Sequence, residues 1–295
     1  MKIVVLGWGF LGMRLGGVLA AAGHEVTGVS RERPTDDQPS LSVGMRHLVG
    51  DVTSLESMQE VLSGAEAVIN CVSSSRGGLE VYRSVYFEGT RNVLSVLQGQ
   101  GRRVRYVHVS STSVYAQSDG GWVDETSEAA GGSDTSRVLV DVEQQVLQSG
   151  NTSQVEPVVV RAAGIYGPGR GHLFLKYLEG DARMAPGGEQ WINMVHVDDL
   201  AAACAMLATR TGVHGIYNAA DNEPVTHAGF FEWLSARLGR PMPPPEDPGA
   251  RVGRKRGQTH KRVSNARLRA LDATWLAHPT FRQGYEEELR RLGLG

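Results

Sequence analysis

Three glycines and a run of hydroxyls carry most of the chemical information in this chain. Gly7, Gly9 and Gly12 fall in GxGxxG spacing inside KIVVLGWGFLG, residues 2–12. In that spacing the first glycine permits a tight strand-to-helix turn, and the second lets backbone approach a pyrophosphate. The third lets the helix pack on the strand. Amides at the start of the next helix lack a helical acceptor and sit at its positive dipole end, so Gly7, Gly9, Phe10, Leu11 and Gly12 are the candidate phosphate-binding residues. Far downstream, Ser110-Ser111-Thr112-Ser113-Val114-Tyr115 puts four hydroxyls in succession. They suit hydrogen bonding to a substrate carbonyl or alcohol, or the satisfaction of a turn.

A lone glycine motif says little; the elements around it say more. Ile3, Val4, Val5 and Leu6 read as a buried parallel strand, and Leu11, Leu15, Val18 and Leu19 give helical spacing over about 10–22. Further strands are expected over 25–29, 46–49, 67–72, 104–109 and 155–160, with a long helix over 79–97 between the fourth and the fifth. This alternation predicts an α/β fold, a Rossmann-type doubly wound parallel sheet with a small C-terminal substrate lobe. Residues 1–165 would form the dinucleotide-binding domain, its sheet completed by later segments, and 166–295 mainly the substrate lobe, interleaved with the sheet.

The strand ends nominate further cofactor contacts. After the second strand comes Ser30-Arg31-Glu32-Arg33. An NAD site usually places a carboxylate there for the ribose 2′-hydroxyl, whereas Ser30 and Arg31 suit a 2′-phosphate, so NADP(H) is read over NAD(H). Arg31 and Arg33 as plain solvated charges is the rival reading, and Glu32 keeps it open. Asp51 and Val52, after the third strand, can meet an adenine edge; alternatively Asp51 or Thr53 caps the helix beginning near Ser54. Cys71, Val72 and Ser73 lead onto the cofactor-facing lip with Ser74 and Ser75, and Ser110 joins them from the fifth strand. Cys71 reads as a small core residue rather than a nucleophile.

Composition sets the outer bounds. The 295 residues, 41% hydrophobic and 21% charged, suit a globular chain, and the net charge of -2 gives no reason to expect nucleic acid or membrane as a partner. Cys71 and Cys204 are the only cysteines, with no metal-ligand spacing, so neither a disulfide framework nor a structural metal is expected. No run reaches the roughly 18 apolar residues of a membrane span, and the glycine turn argues against a signal peptide. The expectation is a cytoplasmic protein acting on a small molecule, with a homodimer left open.

The glycine turn, Gly50-Asp51-Val52, GTRNVL at 89–94, SSTSVY at 110–115, RAAGIYGPG at 161–169 and VHVDDLA at 195–201 occur in a telling order. Over nearly its whole length the chain resembles the extended short-chain dehydrogenase/reductase family, the NAD(P)-dependent epimerases and dehydratases. SSTSVY followed by TSRVL and VHVDDLA resembles the atypical YeeZ-type branch. The resemblance assigns Ser111 to the family's catalytic Ser/Thr, but its YxxxK pair falls on Thr135 and Leu139, which cannot serve. Tyr86 stands where an Asn precedes the GT motif. Gly164 and Ile192 replace an Asn and an Arg that meet the nucleotide in nucleotide-sugar enzymes, which argues for a smaller or differently charged substrate.

The missing pair leaves the proton donor open. Arg137 lies about 200° around the helix from Thr135, so it suits a phosphate or an acidic substrate, or it is a surface charge. Tyr82, Tyr86, Tyr115 and Tyr166 are candidates for a displaced acid, against ordinary half-buried aromatics. Thr112, Tyr115, Arg170, His172 and Asn193 are candidate substrate contacts, and Asp198 reads as the cap of the helix that follows it. The Gly- and Ser-rich stretch 118–133 reads as a loop and Pro241 to Pro248 as a stiff connector. The basic residues Arg251, Arg254, Lys255, Arg256, Lys261 and Arg262 either fold over the pocket or form a solvated loop. The expected function is hydride transfer between nicotinamide and a small carbonyl, imine or alcohol carbon, with Ser111 polarising the substrate oxygen. A noncatalytic NADP(H) sensor or scaffold, or a sugar-type epimerase or dehydratase, are the alternatives.

Overall fold

The computed structural model describes residues 1–33, 43–74, 78–246 and 260–294 of the chain. Ser75, most of the loop expected over 34–44, and Arg251, Arg254, Lys255 and Arg256 lie outside these residues.

Seven parallel strands form the main sheet: β1 (Lys2–Leu6), β2 (Glu25–Ser30), β3 (Met45–Val49), β4 (Ala67–Asn70), β5 (Val104–Ser111), β6 (Val155–Ala162) and β7 (Gly215–Ala219). Their spatial order is β7-β6-β5-β4-β1-β2-β3. Strand order therefore reverses beside β1, which pairs with β2 on one side and β4 on the other. A ligand crevice opens at such a reversal, beyond the C-terminal strand ends.

The helices are α1 (Phe10–Ala21), α2 (Leu55–Val61), α3 over 79–99, α4 (Asp134–Ser149), α5 (His172–Glu179), α6 (Val197–Thr209), α7 (His227–Leu238), α8 (Ala266–Leu271) and α9 (Phe281–Arg291). Both faces of β1 are buried, as its unbroken aliphatic run requires. Ile3 and Val5 pack with Leu15 and Leu19 of α1 and Leu200 and Leu207 of α6, while Val4 and Leu6 pack with Met58, Val93, Leu94 and Val142 from α2, α3 and α4. Each such side chain withdrawn from water contributes about 1.5–3 kcal/mol. A third core, built on Phe174, Phe230, Phe231, Phe281 and Tyr285, holds the lobe formed by α5, α7 and α9.

Three local expectations change. The long helix α3 is not uniform: a π turn at Ser84–Glu88 separates Leu79–Arg83 from Gly89–Gly99. Asp198 does not cap α6; the His196 side chain accepts from the Asp198 amide, and Asp198 reaches Arg14 of α1 at 2.9 Å instead. Residues 118–133 contain a short strand, Trp122–Val123, paired in parallel with Arg262–Val263. Among the described residues no helix is long and apolar enough to cross a membrane.

Candidate functional site

The glycine turn forms a cradle whose three glycines have three different reasons. Gly7 has φ +96°, and a Cβ there would lie 2.8 Å from the Cys71 and Val72 backbone. A Cβ on Gly12 would lie 2.1 Å from the Gly7 carbonyl oxygen, so only glycine lets α1 sit this close to β1. Gly9 has nothing within 4 Å of its Cβ position, so the second glycine faces open space. The Met13 amide is the first of α1 to bond back, to the Gly9 carbonyl at 3.0 Å, and no side chain caps the helix. Phe10, Leu11 and Gly12 thus present amides without helical acceptors to that space, and no acidic residue stands in the first turn to compete with an anion. These residues fit a dinucleotide pyrophosphate.

Trp8, the residue between the first two glycines, turns inward and is 6% exposed. A Cβ on Gly16 of α1 or on Gly28 of β2 would lie 2.2 Å or 2.1 Å from its ring. Sequence reasoning missed this lock. Its signal was present: a large aromatic inside the motif, with glycines at helix and strand positions where glycine is otherwise costly.

At the end of β2, Ser30 is already engaged. Its hydroxyl donates to the Glu32 carbonyl at 2.7 Å and contacts His47 Nε2 at 2.8 Å. Arg31 and Arg33 are exposed just beyond β2. Asp51 Oδ1 accepts from the Thr53 amide at 2.9 Å and from its hydroxyl at 2.8 Å, while Ser54 caps α2. The GTRN segment acts through Val52: Asn92 Nδ2 donates to its carbonyl at 3.0 Å, and a Cβ on Gly89 would lie 2.7 Å from its side chain.

Beyond β4, the Asn70 carboxamide receives the Val72 amide at 3.2 Å and donates to the Tyr106 hydroxyl at 3.0 Å. Cys71 Sγ donates to the Leu6 and Gly7 carbonyls at 3.2 and 3.4 Å, and burial pushes its thiol up to about 12. Through these two contacts it props the glycine turn from below. Ser73 is exposed, and Ser74 donates its amide to the Tyr86 hydroxyl at 3.2 Å. Tyr86 thus ties the π turn to the lip.

The hydroxyl run divides by depth. Ser110 is buried and donates to Glu143 of α4, which Arg161 of β6 grips through Nε and Nη2. Ser111 is half-buried at the end of β5; its oxygen accepts from the Ser113 amide at 3.2 Å. Among the described residues, its own proton has no acceptor. Thr112 is buried at the first position of a short 3₁₀ turn. Tyr115 is wholly buried beneath Arg161 at 4.7 Å, and its hydroxyl meets the Asp124 carbonyl and Asn218 Oδ1 at 2.8 and 2.9 Å. It is a core post and does not line an open pocket. Arg137 is exposed on α4 and paired with Asp134 at 2.6 Å. Thr135 and Leu139 occupy α4 as the sequence indicates, with no tyrosine or lysine in their places.

The lobe accounts for the remaining candidates. Tyr166 is 1% exposed, stacked on Tyr285 at 4.5 Å and edge-on to His196 at 5.2 Å. Its hydroxyl ends against Gly284 of α9, where a Cβ would lie 2.4 Å away, and burial with nearby Asp221 raises its pKa well above the ordinary value. The phenol belongs to the aromatic core of the lobe, with Phe174 and Phe281. Asn193 is spent on structure: Nδ2 donates to the Lys261 carbonyl at 2.9 Å and Oδ1 accepts the Val263 amide at 2.7 Å. His172 is exposed at the start of α5, and Arg170 lies 4.9 Å over the Phe10 ring. Lys261, from the basic stretch, is 3% exposed and donates to the Tyr115 carbonyl at 3.0 Å; burial lowers its pKa to about 8.

Beneath the lobe, Asp199, the third residue of α6, accepts from the Ala277 and His278 amides and from His278 Nδ1, the last at 2.9 Å. The His196 and His278 rings meet at a tilt of 38° with centres 3.8 Å apart. This cluster fastens α6 to the turn before α9.

Comparison with known proteins agrees with this architecture. Protein YeeZ of Escherichia coli is 29% identical over 256 residues, covering 83% of this chain and 86% of that protein. The 2-alkyl-3-oxoalkanoate reductase of Stenotrophomonas maltophilia is 25% identical over 258 residues, covering 82% of this chain and 77% of the reductase. The crystal structure of the human epimerase family protein SDR39U1 with NADPH superposes with a TM-score of 0.79 at 22% identity, covering 98% of this chain and 99% of that one. The sequence model of the NAD dependent epimerase/dehydratase family matches residues 3–220, across the cradle, the hydroxyl lip and the sheet through β7, and the chain belongs to that family.

Proposed function

We propose that the protein is an NADP(H)-dependent oxidoreductase of the atypical extended short-chain dehydrogenase type, moving a hydride to or from a small carbonyl, imine or alcohol carbon. The observation that carries this reading is the cradle, where open space at Gly9 meets the acceptor-free amides of Phe10, Leu11 and Gly12. Bound nicotinamide supplies the hydride chemistry. The chain supplies orientation and polarity: Ser111 donates its hydroxyl proton to the substrate oxygen, and the Ser113 amide fixes that hydroxyl's direction. With Thr135 and Leu139 in the family's Tyr and Lys positions, water delivers the proton that those residues handle elsewhere. Exposed Arg31 and Arg33 beyond β2 favour the 2′-phosphate of NADP(H), and the NADPH bound to SDR39U1 agrees with that choice. The reductase among the relatives favours a carbonyl substrate.

Fluorescence titration with NADPH and NADH tests the cofactor, and a clear preference for NADH would reject the NADP(H) assignment. Turnover of NADPH with a panel of carbonyl and imine compounds tests the reaction. Loss of one hydrogen-bond donor to the developing oxyanion costs about 100-fold or more, so Ser111→Ala should lower turnover by at least that factor. The second reading, a noncatalytic NADP(H) sensor, draws on the burial of Tyr115 and Tyr166 and on Thr135 and Leu139 standing in the family's Tyr and Lys positions. Tight NADPH binding without turnover of any compound would favour it. A sugar-type epimerase or dehydratase is disfavoured by Gly164 and Ile192 at nucleotide-contacting positions.

A further inference from the structure

Among the phenols that could replace the missing acid, Tyr86 reaches the lip. Tyr115 spends its hydroxyl on Asp124 and Asn218, Tyr106 is buried against Asn70, and Tyr166 lies in the aromatic core of the lobe. Tyr86 is half-buried, and its oxygen accepts the Ser74 amide at 3.2 Å, just beyond the end of β4. A phenol can accept and donate at once. Among the described residues the Tyr86 proton meets no acceptor.

The helix that carries Tyr86 is built around it. Tyr86 is the middle residue of the π turn Ser84–Glu88, and such turns are rare and collect at functional sites. Tyr82, four residues earlier, stacks on the Tyr86 ring with centres 4.2 Å apart. The turn packs on α4, the helix whose Thr135 and Leu139 stand in the family's Tyr and Lys positions, and Arg83 reaches Asp141 of α4 at 3.8 Å. Strand register supplies a second relation. Strands β4 and β5 run parallel with Asn70 beside His108, so Ser73 and Ser111, each three residues further, leave the same edge of the sheet from strands about 4.8 Å apart. The phenol is therefore anchored at the strand end next to the one that carries Ser111.

We propose that Tyr86 is the proton source of the reduction, standing in from α3 for the tyrosine that α4 lacks. The inference rests on the oxidoreductase reading above and says where its water obtains the proton. As the carbonyl carbon gains a hydride, the C=O π pair moves onto oxygen and that oxygen takes a proton from the water. The water takes the phenolic proton of Tyr86 in turn. The Ser74 amide, already aimed at the phenol oxygen, stabilises the phenolate, which regains its proton from solvent. Oxidation of an alcohol runs the same transfers backwards.

Acetylation of tyrosine hydroxyls by N-acetylimidazole, read by peptide mass spectrometry on the full chain, tests the placement without a known substrate. Tyr86 should be labelled in the free protein and labelled several-fold more slowly with saturating NADPH, while buried Tyr115, Tyr166 and Tyr285 are spared in both. With a carbonyl compound that the wild type reduces, Tyr86→Phe keeps the stacked ring and should lower kcat about 100-fold or more while KM changes by less than about threefold. A merely structural hydroxyl would instead lower the unfolding temperature or the NADPH affinity and leave kcat near wild type. Labelling of Tyr86 that NADPH leaves unchanged, or a wild-type kcat in Tyr86→Phe, would overturn the proposal. Wild-type protein that binds neither NADPH nor NADH, or that binds NADPH and turns over no compound, would instead overturn the oxidoreductase reading itself.

Discussion

Glu143 of α4 and Arg161 of β6 form an ion pair in which each side chain is only 4% exposed, with Arg161 Nη2 2.7 Å from Glu143 Oε2. The pair stands beneath the hydroxyl lip: Ser110 donates to the same carboxylate, and the guanidinium covers the Tyr115 ring. Two buried charges so placed give little net stability together, yet removing one strands the other.

Glu143→Ala should therefore cost about 3–5 kcal/mol in urea unfolding. The double variant Glu143→Leu, Arg161→Leu should cost less than the sum of its single changes, because neither charge is left alone. A single-variant loss below about 1 kcal/mol would show that the pair does not hold the lip.

The cradle glycines should separate folding from binding. Gly9→Ala adds a methyl where nothing lies within 4 Å, so stability should change by less than about 1 kcal/mol while NADPH affinity falls at least tenfold. Gly12→Ala drives a methyl into the Gly7 carbonyl and should lower the unfolding temperature as well. Equal effects of the two on thermal unfolding would contradict the geometry.

Asp221 is 2% exposed and its Oδ2 has no hydrogen-bond partner among the described residues. Burial, reinforced by the Asp199 charge, raises its pKa well above the ordinary carboxylate value. A raised folded pKa gives stability that is whole below the unfolded pKa of about 3.9 and lost as pH rises through the folded one. Asp221→Asn keeps an oxygen for the Glu223 amide and removes the titration. Its unfolding temperature should exceed that of wild type at pH 8, and the gap should shrink in acid. A gap that widens in acid would refute the assignment.

His278 should act in the opposite part of the pH scale from its neighbour. Its hydrogen bond to Asp199 raises its pKa, so its contribution is complete below about 6.5 and fades as pH rises through the folded value. His196 is lowered by burial and by the charge of His278, so its contribution is present above about 6.5 and fades as pH falls. Glu287 faces His278 at 3.3 Å and Asp198 faces His196 at 3.6 Å. His278→Gln should destabilise the protein most near pH 6 and least near pH 9, as read from unfolding temperatures across that range. A loss independent of pH would mean that packing, not charge, is what His278 contributes.

Much of this fold was legible because its signals are local. The aliphatic run of β1, the GxGxxG turn and the helical spacing of Leu11, Leu15 and Leu19 depend on residues within about 20 positions of one another. Elsewhere the deciding partner is far away. Tyr115 reads as a pocket residue until Asn218, 103 positions on, takes its hydroxyl. Asn193 reads as a substrate ligand until residues 261–263 come back to occupy both ends of its carboxamide. Asp198 looks like a helix cap because Asp is a good one, but His196 lies at the cap position and Arg14 draws the carboxylate away. Arg170 and His172 read as one pair by adjacency, whereas Arg170 Cζ lies 4.9 Å over the Phe10 ring and His172 opens α5.

The sheet order carries a last consequence for synthesis. Strand β7 lies against β6 but is encoded more than 50 residues after it, following α5 and α6. While the ribosome is still making α6, the nascent chain can already align β6 on β5, leaving residues 158–162 with a row of unclaimed amides and carbonyls along a hydrophobic edge. Until β7 arrives, that edge can pair with a strand of another chain, a hazard of cotranslational folding that the finished sheet no longer carries at β6.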